Sequence, residues 1–214
     1  MSLAHLLERN IALIRLLVKL RDHLDVHRLI SLNATALVEP AIPETFIAYS
    51  QGCALEGIAL MLSKIFESPK RHELNSVRGN LRLIKSSGCE AQDPDKISEF
   101  CCKYGTWDSE LALQDNLEQV IAEFASRYEE PLSRLKTFRD KIGAHSEAGI
   151  DIQYLPSHHD FEKLYEFAFS FYSAIAAGYL ETVPATVHPR VAMSFARWVK
   201  RQLGNSIETK FPEE

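Results

Sequence analysis

The sequence predicts an all-α fold, an antiparallel helical bundle of about six to seven helices. Three observations point there. Apolar residues recur at three- and four-residue spacing through most segments of the chain. Helix boundary signals separate those segments: Asp93-Pro94 before one, and Gly88, Gly105 and Gly204 after others. The short alternation Ile150-Asp151-Ile152 is too brief to count as a strand.

Leu3, Leu6, Leu7, Ile11, Ile14, Leu17, Val18 and Leu20 lie at helical spacing, and the pattern persists through Leu24 to Ile30. This predicts a long, bent first helix, with a break over Asn33 to Pro43. Glu44 to Phe66 is the second helix, apolar nearly all round after Cys53, which marks an element buried between others. Arg71 to Lys85 reads as a third helix stopped at Ser86-Ser87-Gly88. Asp93 as N-cap and Pro94 at the first helical position open a short helix to Tyr104. A long helix runs from about Trp107, with Leu113, Leu117, Val120, Ile121, Phe124 and Tyr128 on one stripe. Pro131 kinks or divides it, since its ring removes a donor and clashes with the preceding turn. The pattern resumes in Leu132, Leu135, Phe138 and Ile142. After a loop over Gly149 to Pro156, Ser157 and Asp160 resemble a capping box opening an aromatic-rich helix to about Glu181. A last helix spans Pro189 to Gly204. Residues 1–185 are expected to form the main helical domain, and 186–214 a C-terminal helix and tail of unassigned role.

Composition narrows the function. The chain has 214 residues, 46% hydrophobic and 25% charged, an ordinary globular balance. Its net charge of -5 argues against a protein that coats nucleic acid or anionic lipid through its overall field, so any such partner is met locally. Cys53, Cys89, Cys101 and Cys102 form no disulfide framework and no CxxC motif, and read as buried or half-buried free thiols. No cofactor and no metal site is expected. Glu8, Arg9, Arg15 and Lys19 interrupt the apolar N-terminal stretch, which excludes a secretory signal and leads to a cytoplasmic assignment. The apolar run Phe167 to Leu180 is shorter than the roughly 20 residues of a membrane span, so it reads as a core helix and no membrane partner is expected.

The chemistry-bearing segment is Phe138 to Glu147, where Arg139 and His145 stand six positions apart. A guanidinium holds a phosphate through parallel hydrogen bonds, and imidazole exchanges a proton near neutral pH. Together they supply much of what phosphodiester cleavage needs. Without further context, a solvated arginine and a histidine capping a helix C-terminus are the better explanation of the pair.

Three features of the chain resemble the HEPN superfamily of helical proteins, and within it the AbiU2-type abortive-infection branch. The segment Arg139 to His145, with Lys141 and Ala144 between and Glu147 after, is similar to the family's arginine-to-histidine motif. The helix Ala54 to Phe66, followed by Asn75-Ser76, is similar to the branch's second helix, and a loop then leads to the aromatic helix Phe161 to Leu180. The likeness covers roughly residues 1 to 180. It departs at Asp140, where many relatives carry asparagine and where an acid would repel phosphate. It does not extend to the last helix, Arg190 to Leu203.

The resemblance implies a metal-independent endoribonuclease of a toxin or antiphage system, acting as a homodimer whose protomers join their arginine-histidine pairs. In that reading His145 moves the proton of a ribose 2'-hydroxyl, and Arg139 stabilises charge on the phosphoryl oxygens. Lys141, four residues before His145, adds positive potential or depresses the imidazole pKa. On an ideal helix six residues rise about 9 Å and turn roughly 120° out of phase, so a straight helix would not converge the pair. Either the helix ends near Gly143 or a second protomer supplies the missing half.

Glu56, the one formally charged residue between Glu44 and Lys64, has two readings: an ion-pair partner that orients Arg139, or a residue facing a solvent-filled groove. Arg71, Arg78, Arg82 and Lys85 share a face and could guide RNA, or be merely solvated; Lys64 to Lys85 holds six basic and two acidic residues. Asp108 to Glu130 holds seven acidic and one basic, and would repel RNA. The candidate partners are therefore a second copy, RNA or a nucleotide, and an antitoxin protein. The rivals to the nuclease are a non-catalytic HEPN-fold module that binds nucleotide or protein, and a helical interaction protein working through its acidic helix.

Overall fold

The computed structural model describes residues 3–38, 44–69, 74–144 and 155–187, with positions 193, 194, 197 and 201. The fold is an all-α helical bundle, with seven helices and no strand among the described residues. They are α1 (Leu3–Val38), α2 (Glu44–Phe66), α3 (Val77–Ser87), α4 (Pro94–Tyr104), α5 (Leu113–Arg127), α6 (Glu129–Ala144) and α7 (His158–Leu180). Contacts divide the chain into two compact units, Met1–Leu17 with Ala59–Thr186, and Val18–Ile58 with Val187–Glu214. Two of the unit borders, after Leu17 and after Ile58, fall inside α1 and α2. Of the expected last helix, Met193, Ser194, Arg197 and Arg201 are helical, and the remainder lies outside the described residues.

Where the helices differ from expectation, polar side chains explain the difference. At the predicted break, Asn33 leaves helical geometry (φ -117°, ψ 15°) but its amide donates to the Leu29 carbonyl at 2.9 Å, so α1 continues through a kink to Val38. The third helix starts at Val77 rather than Arg71, because Ser76 caps it by accepting from the Gly79 amide at 3.0 Å. Gly79 is required there, since a Cβ would lie 2.0 Å from the Leu74 carbonyl oxygen. α5 starts at Leu113, not Trp107. The preceding loop is held by the buried Asn116 amide, which accepts from Asp108 N at 2.9 Å and donates to Asp108 O at 2.8 Å. Pro131 falls in the first turn of α6, where its missing N–H costs nothing, and the chain divides at Tyr128.

Other signals correspond directly to structure. Asp93 precedes α4 as expected, yet its side chain makes no cap; the backbone amides of Gln92 and Asp93 donate to the Gly178 carbonyl instead, at 2.8 and 3.0 Å. The Ser157–Asp160 capping box is complete, with both reciprocal bonds present. In the first unit, Phe124 and Phe167 stack with centroids 3.7 Å apart, and Phe66, Phe100 and Tyr104 pack around them. Cys101 is buried, Cys89 half-buried, and Cys53 and Cys102 exposed, all four as free thiols. The segment Phe46–Phe66 is long and apolar enough to cross a membrane by length and composition alone, a test that core helices also pass.

Candidate functional site

α6 brings a row of side chains to one place through its own periodicity. Glu129, Leu132, Ser133, Lys136 and Arg139 follow at spacings of three and four, so they share a face. That face forms one wall of a cavity of about 760 Å³. The opposite walls are Ser63, Phe66, Glu67 and Ser68 at the end of α2, Leu74 before α3, and Ala125 of α5. The Ser63 hydroxyl donates to the Leu135 carbonyl at 3.4 Å, tying α2 to α6 beside the opening. The lining is therefore an apolar floor with two cations and two carboxylates above it.

Arg139 is 26% exposed and lies between two acids. Its Nε and Nη2 both donate to Oδ1 of Asp140, at 3.0 and 2.8 Å. Nη1 stands 3.7 Å from Oε1 of Glu67, beyond hydrogen-bonding distance. Asp140 thus holds the guanidinium through a single oxygen, and the Nη1 edge keeps donors that an oxyanion in the cavity can take. The acid expected to repel phosphate is also the group that fixes the arginine's orientation.

Of the two readings of Glu56, its exposure fits the solvent-facing one and not the ion-pair partner of Arg139. Glu56 is exposed, and the carboxylates at Arg139 are those of Asp140 and Glu67. The reason is periodicity: Tyr49, Cys53 and Glu56 share the solvent side of α2, while Ala54, Leu55, Ile58, Ala59 and Leu62 are buried. Tyr49 registers this neighbourhood, its phenol pKa raised first by a hydrogen bond with Cys53, then by that thiol's charge, burial and Glu56.

Lys141 belongs to α6, but its side chain, like His145 and Arg71, lies outside the described residues. On α3, Arg78 is half-buried and Arg82 exposed. Lys85 donates to Asp115 at 3.0 Å and to Glu118, both of α5. Those two bonds, Glu118's first, raise the Lys85 pKa. The basic and acidic segments that the sequence sets apart therefore meet at this point.

No protein-family model matches the chain, and no curated protein or solved structure matches it. The arrangement's chemistry consequently rests on its own residues. Among the described residues no group of three or more His, Cys, Asp or Glu is placed to hold a metal ion. Glu67 and Lys136 were not singled out from sequence. Lys136 carried a signal, three residues before Arg139 on the apolar pattern of α6; Glu67, just past the end of α2, carried none.

Proposed function

We propose that this protein is a HEPN-like, AbiU2-type helical protein that cleaves RNA without a metal, in a toxin or antiphage role, with Arg139 and His145 as the working pair. One observation supports this above others: Arg139, the residue singled out by the motif, faces the large cavity between α2 and α6, braced by Asp140 and with its Nη1 edge toward Glu67. In the proposed reaction the ribose 2'-oxygen attacks the adjacent phosphorus and the bond to the 5'-oxygen breaks. His145 accepts the 2'-hydroxyl proton, and an imidazolium returns a proton to the leaving oxygen. Arg139 stabilises the charge that builds on the non-bridging oxygens. A twin subunit across a two-fold axis would supply the second imidazole, so one ring acts as base while the other acts as acid.

The test is incubation of the purified chain with RNA in EDTA. Cleavage lost in both Arg139→Ala and His145→Ala supports the reading; cleavage that survives both refutes it.

A second reading is favoured by the same carboxylates. Glu67, Glu129 and Asp140 outnumber Lys136 and Arg139, which suits a module that binds a protein segment rather than one that turns over RNA. Binding that needs Arg139, in the absence of cleavage, would select it.

A further inference from the structure

We propose that the outer face of α1 is a docking surface for a second copy of this chain, lying antiparallel along it across a two-fold axis. The observation is a ridge of aliphatic side chains on the solvent side of the helix. Leu3, Leu7 and Ile11 are 46%, 38% and 41% exposed, and Ile14 is half-buried, whereas Leu6, Leu13 and Leu17 on the inner face are fully buried. Isolated exposed leucines need no explanation, but a contiguous row does. Spacings of four, four and three residues are those of a seam that two helices bury between them.

The charges bordering the ridge identify the occupant. Glu8 and Arg15 are seven residues apart, so they lie on the same edge, and both are exposed. Glu8 meets His5 at 3.7 Å with its side chain 80% exposed, and Arg15 has no ion-pair partner among the described residues. The other edge of the ridge carries Asn10 and Leu17, both buried in the chain's own core. Only the Glu8–Arg15 edge is open, so two copies meet through like edges, which is the antiparallel arrangement. In that register Glu8 of each chain faces Arg15 of the other, twice about the axis, while Ile11 and Ile14 of one helix meet Ile14 and Ile11 of its mate. An unrelated partner would have no need of an edge that complements itself. The contact is one helix face about 20 Å long, at the small end of specific interfaces, so association is concentration-dependent.

This surface is independent of the Arg139 cavity, and sedimentation velocity over a concentration series of the full chain tests it separately. The wild-type chain is expected to pass from monomer to dimer. Glu8→Arg and Arg15→Glu should each lose this association step at concentrations where the wild type shows it, because each reversal sets like charges together at both contacts. An equimolar mixture of the two variants should recover a dimer, since one chain then offers two basic edge residues and the other two acidic ones. The positions are exposed, and unchanged thermal melts by circular dichroism confirm that the fold is kept. A wild-type chain that stays monomeric throughout, or a mixture that fails to pair, overturns the proposal. Reversals that leave the wild-type sedimentation profile unchanged at every concentration also overturn it, while leaving a twin subunit at Arg139 untouched.

Discussion

Replacing Asp140 by asparagine removes a negative charge from beside the candidate phosphate-holding group and keeps its shape and one acceptor oxygen. If Arg139 receives an oxyanion on its Nη1 edge, that anion stands roughly 6 Å from the Asp140 carboxylate. The repulsion is then about 0.7 kcal/mol at the dielectric of water and about 3 kcal/mol at an effective constant near 20. Asp140 is 56% exposed, so screening holds the value toward the lower end. A relief of about 1 kcal/mol corresponds to roughly fivefold tighter binding. Asp140→Asn should therefore strengthen binding of a short dye-labelled single-stranded RNA, read by fluorescence anisotropy at low salt, and Arg139→Ala should abolish it. The gain should shrink at about 1 M salt, where the screening length falls to about 3 Å. Unchanged or weaker binding in Asp140→Asn, with an unaltered melting curve, would show that the guanidinium does not receive the anion.

Two stability predictions follow from groups outside the cavity. Asn116→Ala should destabilise the chain by about 2 kcal/mol, because the buried amide that ties the otherwise exposed Asp108 loop down is lost, and should lower Tm by roughly 4 to 8 °C. A shift under 2 °C in calorimetry would mean that water replaces the side chain. His23 packs against Gly57, where a Cβ would meet its Cε1 at 2.5 Å, and burial lowers its pKa below 6.5 despite the opposing charge of Asp22. The unfolded chain then takes up a proton before the folded one, so this stability is intact above pH 6.5 and declines as pH falls from there toward the folded value. Melting curves from pH 8 to 5 should show a loss that His23→Gln reduces; an equal loss in the variant would assign it to other groups.

Helix content and most helix identities were legible in the sequence because they depend on local rules. α2 and α7 were placed within a residue or two, since a capping serine, a proline boundary and the apolar period act over one or two turns. Starts were misplaced where a side chain decided them at short range: Ser76 begins α3 late, and Asn116 holds a loop where the periodicity of α5 had already begun. The apolar period placed Leu132, Leu135 and Phe138 correctly, and Lys136 and Arg139 are fixed on their face by the same spacing.

What the sequence determined by itself, then, was an all-helical chain with an arginine on the helix that follows Pro131, because hydrogen bonding along one segment needs only neighbours. Beyond the adjacent Asp140, which acid stands near that arginine was decided by tertiary structure. Isolation in an apolar helix left Glu56 with two readings; helical phase turns it to solvent, and the residue just past the end of α2, Glu67, stands near Arg139. Lys85 likewise met Asp115 and Glu118 because α3 packs on α5. Ion pairs between elements depend on how helices cross and rotate in packing, and one chain's pattern of charges does not encode that pairing locally.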